Sequence, residues 1–191
     1  MHVLIAASLF AAPFWEAKPP GEWSEQELRK LTVDSPWAQI AETPREGLAP
    51  GVQVYIASAT IMREAEAEFA RRRKIKSDLL REEYEAFLRE EGAKTLVLAV
   101  YAPDASLLAD AAESERMQEE SALKVGRKRL KMTGHFPPTS SDPFLRMVFP
   151  RPEIGGQKSL TFEIYVPGVP SPYRRVEFPV RDLMYKGKPD Y

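Results

Sequence analysis

Ser159-Leu-Thr-Phe-Glu-Ile-Tyr-Val166 and Val176-Glu-Phe-Pro-Val-Arg181 are the stretches whose reading decides the fold. In the first, Leu160, Phe162, Ile164 and Val166 alternate with Thr161, Glu163 and Tyr165. In the second, Val176, Phe178 and Val180 alternate with Glu177, Pro179 and Arg181. Period-two alternation puts apolar side chains on one face of a strand and polar ones on the other. Only the short loop from Pro167 to Pro172 separates the stretches, so they are expected to pair as an antiparallel hairpin. Pro179 has no amide to donate, which places its strand at a sheet edge.

Working outward, four more strands are expected. Phe144 to Phe149 is one, and Leu123 to Met132 is a basic strand with Gly126 as a bulge. Thr95-Leu-Val-Leu-Ala-Val-Tyr101 is apolar throughout, as a central strand buried on both faces should be. Val52-Gln-Val-Tyr-Ile56 alternates. Gly155-Gly156 reads as a hairpin turn.

Between these strands the period becomes helical. From Ile61 to Glu91, Leu80, Tyr84, Phe87 and Leu88 share one face, and Gly92 sits where a left-handed C-cap belongs. Ser77-Asp78 offers a cap midway, which leaves one helix or two open. Asp104 can cap a further helix over residues 105–120, with Leu107, Leu108 and Ala111 facing inward. The fold class is therefore α+β. A sandwich-like antiparallel β domain of about six strands with helical insertions is expected over residues 51–191.

Residues 13–50 are expected to form an aromatic linker and a short helical arm. Ser24-Glu-Gln-Glu27 is a capping box, with Leu28 and Leu31 on the face that follows. Asp34-Ser-Pro-Trp37 restarts a short helix, with Ser35 as cap and Pro36 in first position. Ahead of the arm, residues 1–12 form an apolar run that is too short to cross a bilayer, which needs about 20 residues. It matches the core of a secretory signal ending in Ala11 and Ala12, although only His2, and no Lys or Arg, precedes it. The competing reading is a first strand built on Val3-Leu4-Ile5.

The chain has 191 residues, 43% hydrophobic and 29% charged, with a net charge of −1. That is ordinary for a globular domain and gives no overall attraction to nucleic acid or anionic lipid. There are no cysteines, which excludes disulfides, thiolate catalysis, Cys-ligated zinc and Fe–S clusters. It also removes the residue that a lipoprotein needs for acylation, so a free exported protein with no membrane span is expected.

Candidate chemistry is sparse. The chain has two histidines, and His2 is expected to leave with the signal segment, so His135 alone cannot supply a two- or three-histidine metal site; beside Phe136-Pro137-Pro138 it reads as a loop residue. No G-x-S-x-G elbow or phosphate-cradling glycine loop is present. Thr139-Ser140-Ser141-Asp142 reads as turn chemistry. The 28 acidic residues allow many carboxylate pairs, and sequence gives no separations. No catalytic residue, cofactor or metal is assigned.

Two basic clusters, residues 71–76 (with Arg71, Arg72 and Arg73) and 124–131 (with Lys128 and Arg129), could meet phosphates. From Arg63 to Lys94, however, nine basic residues face nine acidic ones, as on a solvated ion-paired helix. Alternating Lys and Arg also protects a strand edge. Trp15, Trp23 and Trp37 all fall near the start. Tryptophan anchors protein and glycan interfaces well. The reading preferred for them is that they clamp the arm onto the β domain. Leu28, Leu31 and Trp37 should dock there, with Trp37 more buried than Trp23 because Trp23 follows the Pro19-Pro20-Gly21 hinge.

Trp23-Ser-Glu-Gln-Glu27, Asp34-Ser-Pro-Trp-Ala38 and the closing Val180-Arg-Asp-Leu-Met-Tyr-Lys-Gly187 resemble small exported bacterial proteins of uncharacterised function. These pair a Trp-Ser/Thr-Glu…Ser-Pro-Trp-Ala start with a similar closing strand. The resemblance implies export, to the periplasm or beyond, and a shared fold, but no catalytic residues. The function expected is non-enzymatic surface binding of an unknown protein or glycan. Candidate contacts are Trp15, Trp23, Trp37, Arg71, Arg72, Arg73, Lys128 and Arg129. The alternatives are a hydrolytic enzyme with an unrecognised site and an intracellular nucleic-acid-binding protein that uses the basic clusters.

Overall fold

The computed structural model describes residues 12–44, 49–102, 108, 110–153 and 156–191. The expected signal segment, apart from Ala12, lies outside the described residues, as do Asp104, Leu107 and Gly155.

The two alternating stretches form strands β8 (Ser159–Tyr165) and β9 (Tyr173–Pro179), paired antiparallel from Ser159–Pro179 to Tyr165–Tyr173. They belong to a sheet completed by β4 (Ala122–Val125) and β5 (Lys128–Lys131), in the order β5-β4-β8-β9. Pro179 is thus on an outermost strand. A second antiparallel sheet contains β1 (Ala38–Ala41), β2 (Val52–Ile56), β3 (Thr95–Tyr101), β6 (Gly134–Phe136) and β7 (Phe144–Pro150), in the order β1-β2-β3-β7-β6. β3 is central, and Leu96 to Val100 are fully buried. The chain closes with the small hairpin β10 (Met184–Tyr185) and β11 (Lys188–Pro189).

The sheets face each other through an aromatic chain. Phe149 of β7 meets Phe162 of β8 edge-on with centroids 5.3 Å apart, and Phe162 meets Phe178 of β9 at 5.9 Å. Each such fully buried side chain contributes about 1.5–3 kcal/mol. One side of the sandwich is tied by the backbone bridge Glu42–Arg175, and on the other Met132 and Thr133 lead from β5 directly into β6. Helices α3 (Thr60–Arg73) and α4 (Leu79–Glu91) lie over the remaining face of the β1–β7 sheet. Helix α5 (Ala111–Glu120) covers the opposite sheet, with Arg116 4.6 Å above the Tyr165 ring.

Asp78 accepts from the Arg81 amide, so residues 61–91 divide into two helices. Helix α3 has no side-chain cap of its own. The Asp190 carboxylate instead accepts from the amides of Thr60 and Ile61, at 2.7 and 3.0 Å. The arm begins with α1 (Phe14–Ala17) and a 3-10 turn at Pro20–Glu22. Then comes α2 (Glu25–Val33), whose capping box forms as expected. Trp23, Leu28, Leu31 and Trp37 all sit in the common core.

Several expectations need correction. Eleven strands form among the described residues, rather than about six. Asp34 to Trp37 forms a turn closed by Ser35–Ala38 bonds and enters β1, because pairing with β2 outweighs the local helix signal. Leu123 to Met132 is two strands, since Gly126 (φ +59°) opens a two-residue turn at which Val125 faces Lys128. His135 lies in β6 opposite Met147, not in a loop. Gly92 is right-handed helical, and the left-handed C-cap is Lys74. β7 and β8 belong to different sheets, so they do not pair as a hairpin. The third helix starts at Ala111 on an Asp110 cap, with Met117 as its buried residue.

Candidate functional site

The strand register creates the site. On the helix-covered face, Phe136, Arg146, Ala99 and Tyr55 line up across β6, β7, β3 and β2. Ala99 has almost no side chain, so a gap opens between Arg146 and Tyr55, and Glu66 of α3 serves both of them. Tyr55 donates its hydroxyl to Glu66 Oε1 at 2.6 Å, and Arg146 Nη2 donates to the same oxygen at 3.0 Å. Arg146 Nη1 pairs with Asp142 at 2.7 Å, and the guanidinium lies 4.6 Å from the Tyr84 ring centroid.

Arg146 is 7% exposed, Tyr55 3% and Tyr84 6%. Burial works against the Arg146 charge. The carboxylates of Glu66 and Asp142 outweigh it and hold its pKa well above the usual arginine value. Burial, reinforced by Glu66, raises both tyrosine hydroxyls, so they stay neutral phenols. Tyr84 Oη and Arg146 Nε are buried without a hydrogen-bond partner among the described protein groups.

Two lobes of a cleft meet at this cluster, sharing Glu66, Arg81, Ser141, Asp142 and Arg146. The inner lobe, of about 290 Å³, runs between α4 and the Pro137–Asp142 loop, against Tyr84 and Phe136. The outer lobe, of about 340 Å³, opens past Phe69 of α3 toward Val33 at the end of α2 and toward Tyr101. Thr139 to Asp142 does form the expected turn, and Ser141 Oγ donates to Asp78 Oδ2, anchoring that loop to the cap of α4. Both volumes are of the order that small-molecule sites occupy, roughly 300–1,000 Å³.

The candidate contact residues lie elsewhere, apart from Arg73. Trp23 and Trp37 are 1% and 0% exposed and are core side chains, so the expected ranking between them amounts to no real difference. Trp23 Nε1 donates to the Lys18 carbonyl and Trp37 Nε1 to the Asp190 carbonyl. Trp15 is half-buried, edge-on to Trp37 at 5.8 Å. Arg71 and Arg72 both bind Glu68, and Arg72 also holds the Trp23 carbonyl, tying α3 to the arm. Arg73 is exposed over the Phe69 ring and lines the outer lobe. On the edge strand β5, Arg129 pairs with Glu163 and Lys128 is exposed.

Arg146, Glu66, Tyr55, Tyr84 and Asp142 were not among the sequence candidates. One signal was available. Arg146 is the lone charge in Phe144-Leu-Arg-Met-Val-Phe149, and a charge inside a buried strand needs a partner. Among the described residues no three His, Asp or Glu gather as a metal-binding set, and no helix is long and apolar enough to cross a membrane. Compared with known proteins, the chain matches no family model, no curated protein and no solved structure.

Proposed function

We propose that this chain is an exported, non-catalytic binding protein that takes up a small ligand in the cleft over the β1–β7 sheet. The observation that carries the reading is the build of that cleft. Buried Arg146, ion-paired to the partly buried Glu66 and Asp142, forms its floor, while Val33 and Tyr101, 50% and 42% exposed, leave apolar surface open to an occupant. The engagement of its carboxylates also favours recognition over catalysis. Glu66 and Asp142 bind Arg146, Asp78 accepts from Ser141 and the Arg81 amide, and Glu85 binds Arg81. A general acid or base needs a carboxylate that can reach a substrate proton. Export is supported by the apolar run at residues 1–12 and by the resemblance of the two ends of the chain to exported bacterial proteins.

Two experiments test the reading. Ligand-observed NMR with a library of small aromatic and aliphatic fragments should give binders whose signals are lost in Ala70→Trp and in Val33→Trp, both of which crowd the outer lobe. Binders that survive both substitutions in folded variants would place the site elsewhere. Fractionation of the native host with N-terminal sequencing tests export, and an uncut Met1 in the cytoplasm would end that part of the reading.

A further inference from the structure

Resting on the reading of the cleft as a binding site, we propose that its occupant is a small aromatic anion, bearing a carboxylate or a phosphate. The outer lobe is lined by Arg29, Arg73, Arg81 and Arg146 against two acids, Glu66 and Asp142. Arg81 is paired with Glu85, and Arg146 takes both acids. Arg29 and Arg73 therefore face the lobe with no carboxylate partner among the described residues. Elsewhere among the described residues Arg71, Arg72, Arg116, Arg129, Arg175 and Arg181 are ion-paired. The protein as a whole carries a net charge of −1, whereas at this lobe four arginines meet two carboxylates. A guanidinium binds carboxylate or phosphate oxygens through paired hydrogen bonds, which suits both anion types.

The rest of the lobe specifies the body of the ligand. Tyr55, Phe144 and Tyr101 form a continuous aromatic floor, with edge-on contacts of 5.0 and 5.7 Å between successive centroids. Phe69, beneath the Arg73 guanidinium at 5.2 Å, and exposed Val33 form further wall. A flat ring laid on Tyr101 and Phe144 would cover their open surface by stacking or edge contact. Its acidic substituent could then reach Arg29 and Arg73 at the rim. The anion belongs at the rim and not at Arg146, whose charge is already met by two carboxylates.

The probes are phenylacetate, phenyl phosphate, phenylacetamide and phenethylamine, which share a ring and differ in charge, titrated by NMR at low and high salt. Both anions should bind at least 5-fold more tightly than the neutral amide, and phenethylamine most weakly, with the advantage shrinking at high salt. Whichever anion binds more tightly identifies the acidic group. The double variant Arg29→Gln/Arg73→Gln changes two exposed residues and should keep its melting temperature and its amide affinity while losing the anion preference. Equal binding of amide and acid, a preference that survives the double variant, or no binding by any anion would overturn the proposal. If Ala70→Trp removes binding but charge has no influence, only this inference falls. If Ala70→Trp leaves binding intact, the cleft reading beneath it fails as well.

Discussion

Removing the Glu66 carboxylate should destabilise the protein out of proportion to the size of the side chain. In Glu66→Ala, the buried Arg146 loses one of its two carboxylates and keeps only Asp142. Breaking a buried pair by deleting one partner costs about 3–5 kcal/mol, and the surviving Asp142 contact puts the effect at the lower end. The Tyr55 hydroxyl, 3% exposed, also loses its acceptor, which costs about 1–3 kcal/mol. A total near 4 kcal/mol follows, equivalent to a fall in Tm of about 8–16 °C for a chain of this length. The charge itself is the source of the cost, so Glu66→Ala/Arg146→Met should be less destabilised than the sum of its single variants by about 2 kcal/mol. Urea unfolding of the three variants, followed by tryptophan fluorescence, measures both quantities. A single-variant cost below about 1 kcal/mol, or strict additivity, would refute the view that the cluster holds the cleft floor.

Val97→Ala, in the fully buried centre of β3, should cost about 2 kcal/mol, while Lys128→Ala on the exposed edge strand stays within about 0.5 kcal/mol by the same unfolding assay. Glu68 is held down to a pKa of about 2 by hydrogen bonds from Arg71 and then Arg72, below its ordinary 4.5. A depressed carboxylate stabilises the fold fully above its ordinary value and loses that contribution as pH falls toward the folded value. The stability gap between wild type and Glu68→Gln should therefore narrow from pH 4.5 to pH 2, and parallel curves would contradict the ion pairing. Tyr84→Phe removes a buried hydroxyl that has no hydrogen-bond partner among the described residues and should leave thermal stability unchanged or raised. A loss above about 1 kcal/mol would mean that this hydroxyl is engaged in the folded protein.

The parts of the fold that are legible in sequence are those whose signal is local and periodic. The β8–β9 pairing follows from strict alternation about a short loop, β3 from an unbroken apolar run, and the start of α2 from a capping box. β1 was not legible because Ser35-Pro36 is a good helix start in isolation, and only pairing with β2 makes Ala38–Ala41 a strand. The cap of α3 was hidden for a related reason, since Asp190 arrives from the far end of the chain. The burial of Trp23 depends on Arg72 and on the 3-10 turn that forms out of Pro20-Gly21-Glu22. The site is the extreme case. Tyr55, Glu66, Tyr84, Asp142 and Arg146 come from four elements and one loop, and each is unremarkable where it stands in sequence. Only the register that sets Ala99 between Tyr55 and Arg146 makes them a cluster.

The central claim, that the cleft over the β1–β7 sheet receives an aromatic anion, is tested most directly by a crystal structure of the protein soaked with phenylacetate. The account predicts the ring against Tyr101 and Phe144, with the carboxylate turned toward Arg29 and Arg73. Phenylacetate bound on the β4–β9 sheet, or in the cleft with its carboxylate turned away from both arginines, would contradict it.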